Sequence, residues 1–466
     1  MKRSYSYVIS GFIALVMLFG VIFTVWPTVT ITAQSPHEVE PQGYLPMIYK
    51  PYPTPTPTLT PTPSPTLTPT PSPTPSPTPS PTAVPPGTMV EFRGLWVTRF
   101  DWTNYNQPAQ PEKIDEIVDN AAYAGFNAIF FQVRGTADAY YVPGLEPWSQ
   151  RVSGGQLGQA PDPFWDPLQR MIDRAHQHGI QVHAYINVYP VWDCGSVPSP
   201  NASPQHLYYK IQNYHGVTNG NLNGLQWYLN QYQQCSSYLR ATPASYFVDE
   251  HLVAVGKDLV GRYDIDGIHL DHIRYGSGAA SCDPVSMYYW NGSCFGSGYA
   301  DWQRAQVNGT VARFYNDVIT LKPDLMLSAA VWPIYKDYWG WGARSGYEDY
   351  YQDSKAWVAG GYIDAISPMI YTSNYDTDTF WTQYKWRTLV SDFQASASGR
   401  WVIPGIGTGY SNFSEIADRI QAGREIGVPG HALFSYGDLY AKGYFDDLAN
   451  GPYAQPAVPP DINWHP

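Results

Sequence analysis

Asp266-Gly-Ile-His-Leu-Asp-His-Ile-Arg-Tyr275 is a short apolar and β-branched run that ends in Asp271, His272, Arg274 and Tyr275. Such a run predicts a buried strand, and alternation places His269 and Asp271 on one face and Ile268 and Leu270 on the other. A carboxylate and an imidazole therefore leave the strand together. Two readings follow. The strand end is a working site, or Asp271 is a buried carboxylate that pairs with Arg274 to close a loop.

Working outward, strand-like runs recur at 93–99, 128–134, 181–188, 267–273, 325–331, 364–370, 401–406 and 430–435. Helical spacing fills the intervals. Ile114, Ile117, Val118 and Ala121 repeat at helical period between Pro111 and Gly125. Leu168, Met171, Ile172 and Ala175 do the same, with Asp166 as N-cap and Gly179 as stop. Further helices are predicted at 244–262, 301–320, 349–359, 379–394 and 414–426. Strands alternating with helices imply a parallel sheet, and these units together imply a closed (β/α)8 TIM barrel with long βα loops. An open doubly wound sheet is the alternative, but it calls for a glycine-rich turn after the first strand, where this chain has Val97-Thr-Arg-Phe-Asp-Trp102.

The longest connections, about 189–243, 276–300 and 332–348, all follow strand C-termini, the face on which barrels build clefts. They carry Trp192, Trp227, Trp290, Trp339 and Trp341. The strand ends contribute Arg134 and Asp138, then His183 and Asn187, then His269, Asp271, His272 and Tyr275, and later Trp332, Tyr371, Tyr436 and Asp438. Carboxylates, imidazoles and aromatic rings on one face suit glycoside hydrolysis, which needs one protonated and one ionised carboxyl group across a scissile bond. Asp271 is the first candidate. Its catalytic partner is left open among Asp138, Asp438 and Glu348, because most glutamates of the domain fall in helical patterns. The other residues, Arg134, His183, Asn187, His269, His272, Tyr275, Trp332, Tyr371 and Tyr436, are expected to bind substrate.

Lys2 and Arg3 precede a nearly uncharged apolar stretch at 7–26, long enough to cross a bilayer. It reads as a signal peptide or an uncleaved signal anchor over 1–33, which predicts export to the cell envelope or beyond, with membrane attachment only in the second case. Residues 34–88 are dominated by Pro, Thr and Ser, a composition that predicts a disordered stalk. The barrel is expected over 89–450 and a tail over 451–466. Cys194, Cys235, Cys282 and Cys294 are an even set suited to an oxidising compartment. Of three pairings, the nearest-neighbour one, Cys194 with Cys235 and Cys282 with Cys294, is preferred. A net charge of −12 and the lack of a basic patch argue against nucleic acid. No cofactor or metal is expected, and the chain is read as a monomer acting on a polysaccharide.

Several motifs together resemble the glycosyl hydrolase-like 10 family. They are Phe92-Arg-Gly-Leu-Trp-Val-Thr98, Gly125-Phe-Asn-Ala-Ile-Phe-Phe-Gln-Val-Arg134, Asp138-Ala-Tyr-Tyr141, Pro147-Trp-Ser149, Val182-His-Ala-Tyr185, Asp266-Gly-Ile-His-Leu-Asp271 and Ile363-Asp-Ala-Ile-Ser-Pro-Met-Ile-Tyr371. The resemblance implies a TIM barrel of the bacterial cell envelope with activity on glycans, peptidoglycan included. It implies site roles for Arg134, Asp138, His183, Asp271 and Tyr371. The family often has a second acid directly after the strand-4 aspartate, where this chain has His272. A distant likeness to the chitinase pattern is broken at His269 and Ile273, which removes that family's proton donor. Two alternatives remain on the sequence: a non-catalytic glycan-binding barrel, and a metal-dependent hydrolase using His183, His269, Asp271 and His272.

Overall fold

The computed structural model describes residues 87–228, 232–233, 235–276, 281–371 and 379–465. The expected signal segment and most of the expected stalk lie outside the described residues. No helix among the described residues is long and apolar enough to cross a membrane.

The central sheet runs through β1 (Phe92–Val97), β2 (Ala128–Arg134), β3 (Gln181–Asn187), β4 (Gly267–Asp271), β5 (Met326–Val331), β6 (Ala365–Pro368) and β8 (Gly430–Phe434), with β7 in two pieces, Trp401–Val402 and Gly405–Gly407. All of its pairings are parallel, and the ladder has nine segments whose two ends are the two pieces of β7. Because those ends are one strand interrupted at Ile403 and Pro404, the sheet is a closed barrel of eight strands. The interruption has a plain cause. Pro404 has no amide hydrogen; its carbonyl accepts from Ala432 on one side, while the Ile403 amide donates to Ile366 on the other.

The helices form the outer layer expected of this fold. Helix α1 (Pro111–Ala124) begins at its proline and stops on Gly125 at φ 88°, and α2 (Pro167–Gln177) is capped by Asp166, whose carboxylate accepts from the amides of Leu168 and Gln169. Helix α3 (Tyr246–Arg262) follows β3. The Tyr299–Arg313 helix continues as a π-helical turn over Phe314–Val318. Ser354–Ala359, Gln383–Gln394 and Ser414–Ile426 follow β5, β6 and β7. After β8 come two short helices, Tyr436–Lys442 and Phe445–Asn450, which periodicity did not predict because Gly443, at φ 71°, breaks the pattern between them.

Outward-facing Ile268 and Leu270 are fully buried beneath the helices, as the alternation predicted. The barrel interior is a separate cluster built from Phe92, Trp96, Ala128, Phe130, Tyr185, Met326, Ala365, Ile403 and Ala432. The last residues close the N-terminal face. Ala457–Val458 pairs with Met89–Val90, Ile462 packs on the interior cluster, and the Trp464 indole donates to Asp364 at 2.7 Å.

Both nearest-neighbour disulfides form, Cys194–Cys235 and Cys282–Cys294. The first staples a small antiparallel unit in the β3 loop, in which Pro190–Asp193 pairs with Tyr238–Arg240 and that strand with Cys235–Ser236.

Candidate active site

Strand register sets the depth of each inward side chain. On β3 and β4 the paired positions are His183 with Gly267, Tyr185 with His269, and Asn187 with Asp271, from the barrel floor to its C-terminal mouth. His183 is buried at the deepest of these levels, edge-on to Phe92 and Phe130, and burial pushes it down to about 4. His269 lies one level higher, stacked on Phe130 at 4.1 Å between ring centroids. The Trp96 indole donates to its Nε2 at 3.1 Å, so the Nδ1 hydrogen donates to Ser328 Oγ at 2.8 Å. Burial pushes His269 down to about 3. Both imidazoles are therefore neutral interior groups.

Asp271 reaches the mouth. Its Oδ2 accepts from the Tyr185 hydroxyl at 2.8 Å, and its Oδ1 accepts from the His272 amide at 2.5 Å and from Arg274 Nη1 at 3.2 Å. Burial alone would raise its pKa, but His272, Arg274 and these hydrogen bonds outweigh it and hold the carboxyl well below the usual carboxylate range. Burial, with Arg274, Arg240 and Arg99 nearby, pushes His272 down to about 3. Its ring is thus neutral at neutral pH, and its support of Asp271 there comes through the amide. His272 has a left-handed φ of 50°, the turn that brings that amide back onto the carboxylate. Asp271 therefore pairs with Arg274 and stands at the C-terminal end of β4.

Aromatic rings and arginines surround it. Tyr371 stacks on Phe434 at 4.6 Å, and Trp96 meets both edge-on. Trp332 packs on Tyr350 at 3.9 Å, with the Arg274 guanidinium 5.6 Å from its ring. Next to Asp271 in register, the side-chain oxygen of Asn187 is buried without a partner. The stapled hairpin adds Tyr238, whose ring meets His272 edge-on at 5.5 Å and whose hydroxyl accepts from Arg99 at 2.9 Å. A small open cleft alongside is lined by Arg99, Tyr105, Asp138, Arg151, Trp192 and Asp193, among others.

The remaining expected residues take different places. Asp138 lines that cleft; its Oδ1 accepts from the Thr136 amide at 2.7 Å and its charge supports that of Arg99. Asp438 sits in the first turn of Tyr436–Lys442, near Asp101, whose carboxyl is pushed up to about 6 by burial with Asp438 adding to it. Glu348 is exposed on the four-residue helix Gly346–Asp349.

Arg134 does not face the cleft. It is wholly buried and clamps Glu146 through two 2.8 Å bonds, with its other terminal nitrogen on the carbonyls of Asn187 and Val188. Tyr436 is buried, accepting from Asn120 at 3.0 Å, and Tyr275 is buried against Tyr351. All three are buried in the walls. Among the described residues no three His, Cys, Asp or Glu side chains converge as ion ligands would. The geometry adds Tyr185, Arg99, Tyr238 and Asp193. The first two stand at strand ends and were visible there; Asp193 and Tyr238 carry no local signal, since only the hairpin brings them in.

The family model described as Glycosyl hydrolase-like 10 matches residues 91–390. Glycosyl hydrolase DigH of Escherichia coli (strain K12) is 27% identical over 326 residues, which cover 62% of this chain and 68% of that protein. Glycosyl hydrolase YngK of Bacillus subtilis (strain 168) is 25% identical over 403 residues, 80% of this chain and 74% of that one. Among solved structures the chain is similar to the PgaB (BpsB) glycoside hydrolase domain from Bordetella bronchiseptica, with TM-score 0.55 and 13% identity, covering 77% of this chain and 98% of that chain. At that identity the likeness is one of fold.

Proposed function

Because the chain belongs to the glycosyl hydrolase-like 10 family, we propose that it is an exported glycoside hydrolase that cleaves O-glycosidic bonds of a cell-wall or environmental polysaccharide. Peptide-free peptidoglycan glycan strands are the first substrate to try. The observation that carries the reading is Asp271: an ionised carboxylate at the C-terminal end of β4, oriented by three donors, with Tyr371, Phe434 and Trp332 at the ends of other strands of the same barrel. Aromatic faces beside a few fixed polar groups suit a sugar ring. A negative charge held in place is what an oxocarbenium-like centre requires. Export is supported by the two disulfides and by the apolar stretch after Lys2 and Arg3.

Asp271→Asn tests this reading. Purified protein is incubated with peptide-free glycan strands, intact peptidoglycan and a panel of plant and bacterial polysaccharides, and reducing ends are counted. The variant should fold with an unchanged circular-dichroism spectrum, keep polymer binding and lose about 10²–10³-fold in rate, as removal of a charge-stabilising group does. Full activity in Asp271→Asn would remove Asp271 from the mechanism.

A further inference from the structure

We propose that Asp193 is the proton donor of this site, the carboxyl group that works opposite Asp271. The inference rests on the glycosidase reading above and supplies its second carboxyl group.

Asp193 ends the hairpin strand Pro190–Asp193 and is the register partner of Tyr238. Tyr238 in turn contacts the ring of His272, the residue after Asp271, and receives the Arg99 hydrogen bond. A path of one strand pairing, one ring contact and one peptide bond therefore leads from Asp193 to Asp271. Asp193 is half-buried and lines the open cleft that also holds Arg99, Asp138 and Arg151. It is anchored by the Cys194–Cys235 bridge at the next residue.

Three other carboxylates near the mouth are committed elsewhere. Asp138 is engaged by the Thr136 amide and stands against Arg99. Asp101 accepts from Thr98 through both amide and hydroxyl. Glu146 is clamped by Arg134. Among the described residues the Asp193 carboxylate accepts one long hydrogen bond, 3.5 Å from the Tyr105 hydroxyl. The groups facing it are Arg99 and Tyr105 from the β1 loop, Asp138 and Arg151 from the β2 loop, and Tyr238 from the paired strand. Burial pushes its carboxyl up; Arg99 opposes this and Asp138 adds to it. A raised carboxyl group beside a depressed one is the arrangement that separates acid from stabiliser.

The step balances as follows. The Asp193 carboxyl gives its proton to the glycosidic oxygen as the C1–O bond breaks, with the bonding electrons going to that oxygen and the leaving sugar departing as an alcohol. C1 is then bonded by an Asp271 oxygen, later displaced by water, or directly by a water oxygen whose proton passes to Asp271. In the first course the displacing water gives its proton to Asp193; in the second Asp271 releases the proton it received to solvent as Asp193 takes one up.

The experiment follows reducing-end release from peptide-free peptidoglycan glycan strands against pH for the wild type, Asp193→Asn, Asp193→Ala and Asp271→Asn. Asp193→Asn should fall by about 10²–10⁴-fold and lose the alkaline decline that the wild type shows as its acid deprotonates. Added formate should restore part of the Asp193→Ala rate, which a purely structural role for Asp193 would not permit. An Asp193→Asn variant with wild-type rate, or with a reduced rate but an unchanged alkaline limb, overturns the proposal. If Asp271→Asn is inactive while Asp193→Asn is intact, only Asp193 falls. A silent wild type, or a fully active Asp271→Asn, overturns the glycosidase reading and this inference with it.

Discussion

Tyr185 and Asp271 stand on neighbouring barrel strands, and the phenol of the first donates a 2.8 Å hydrogen bond to Oδ2 of the second. Hydrogen bonds to a charged group contribute about 1.5–3 kcal/mol, so this one bears directly on how far Asp271 stays ionised. Tyr185→Phe should raise the Asp271 pKa by about 1–2 units at ~1.4 kcal/mol per unit. In the proposed role Asp271 works as the anion, so activity would be lost as pH falls through its pKa. The acid limb of the variant's pH–rate profile should therefore lie at higher pH than that of the wild type. An acid limb that does not move would show that the phenol leaves the carboxylate untuned.

The Arg134–Glu146 clamp makes acid stability testable. Burial alone would raise Glu146, but the Arg134 charge outweighs it, with His251 adding, and the carboxyl is held well below the ordinary range. A group depressed in the folded state contributes stability above its unfolded value of about 4.3 and loses it as pH falls below that toward the folded value. Guanidinium unfolding should show wild-type stability falling below about pH 4–5 on this account. Glu146→Gln leaves a buried guanidinium unpaired and should cost about 3–5 kcal/mol at pH 7, with a shallower acid slope than the wild type.

Cys194–Cys235 closes a sequence separation of 41 and Cys282–Cys294 one of 12. Chain entropy puts their contributions near 4 and 3 kcal/mol respectively, both order-of-magnitude figures. Only the first holds the hairpin that carries Asp193, Tyr238 and Arg240. Cys194→Ser with Cys235→Ser should therefore lose activity well beyond its loss of Tm, whereas Cys282→Ser with Cys294→Ser should lose the two more nearly in proportion. Equal activity losses in the two double variants would count against a site function for the hairpin.

Gly430 opens β8 against β1. A methyl group there would stand 2.1 Å from the Phe92 carbonyl oxygen and 2.6 Å from its amide nitrogen, atoms that cannot move without disturbing the barrel ladder. Gly430→Ala should cost about 1–3 kcal/mol or more. Gly261, in helix α3, has nothing within 4 Å of such a methyl group. Gly261→Ala should be neutral or stabilising by up to about 1 kcal/mol, and thermal unfolding of the pair checks both.

Much of the framework was legible because it is encoded locally. Alternation in β4 set Ile268 and Leu270 against the helices and His269 and Asp271 inside, and Pro111, Gly125 and Asp166 marked helix ends by backbone chemistry. The same local logic put Arg134, Tyr275 and Tyr436 at the mouth, where the structure shows all three buried. A long side chain at a strand end can turn into the loop layer as readily as into the cleft. Arg134 turns to Glu146 and to the carbonyls of Asn187 and Val188.

The sequence by itself determined the periodicities that build a closed barrel and Asp271 as the carboxylate at its mouth, since each depends on neighbours a few residues away or on fixed alternation. Only the tertiary structure decided which cysteines pair and which groups stand around that carboxylate. Tyr185 and Tyr238 come from different segments, and their approach depends on register, on a hairpin folded back across the β3 loop and on the bridge that staples it. Such proximity is a property of closure in space and leaves no periodic trace along the chain.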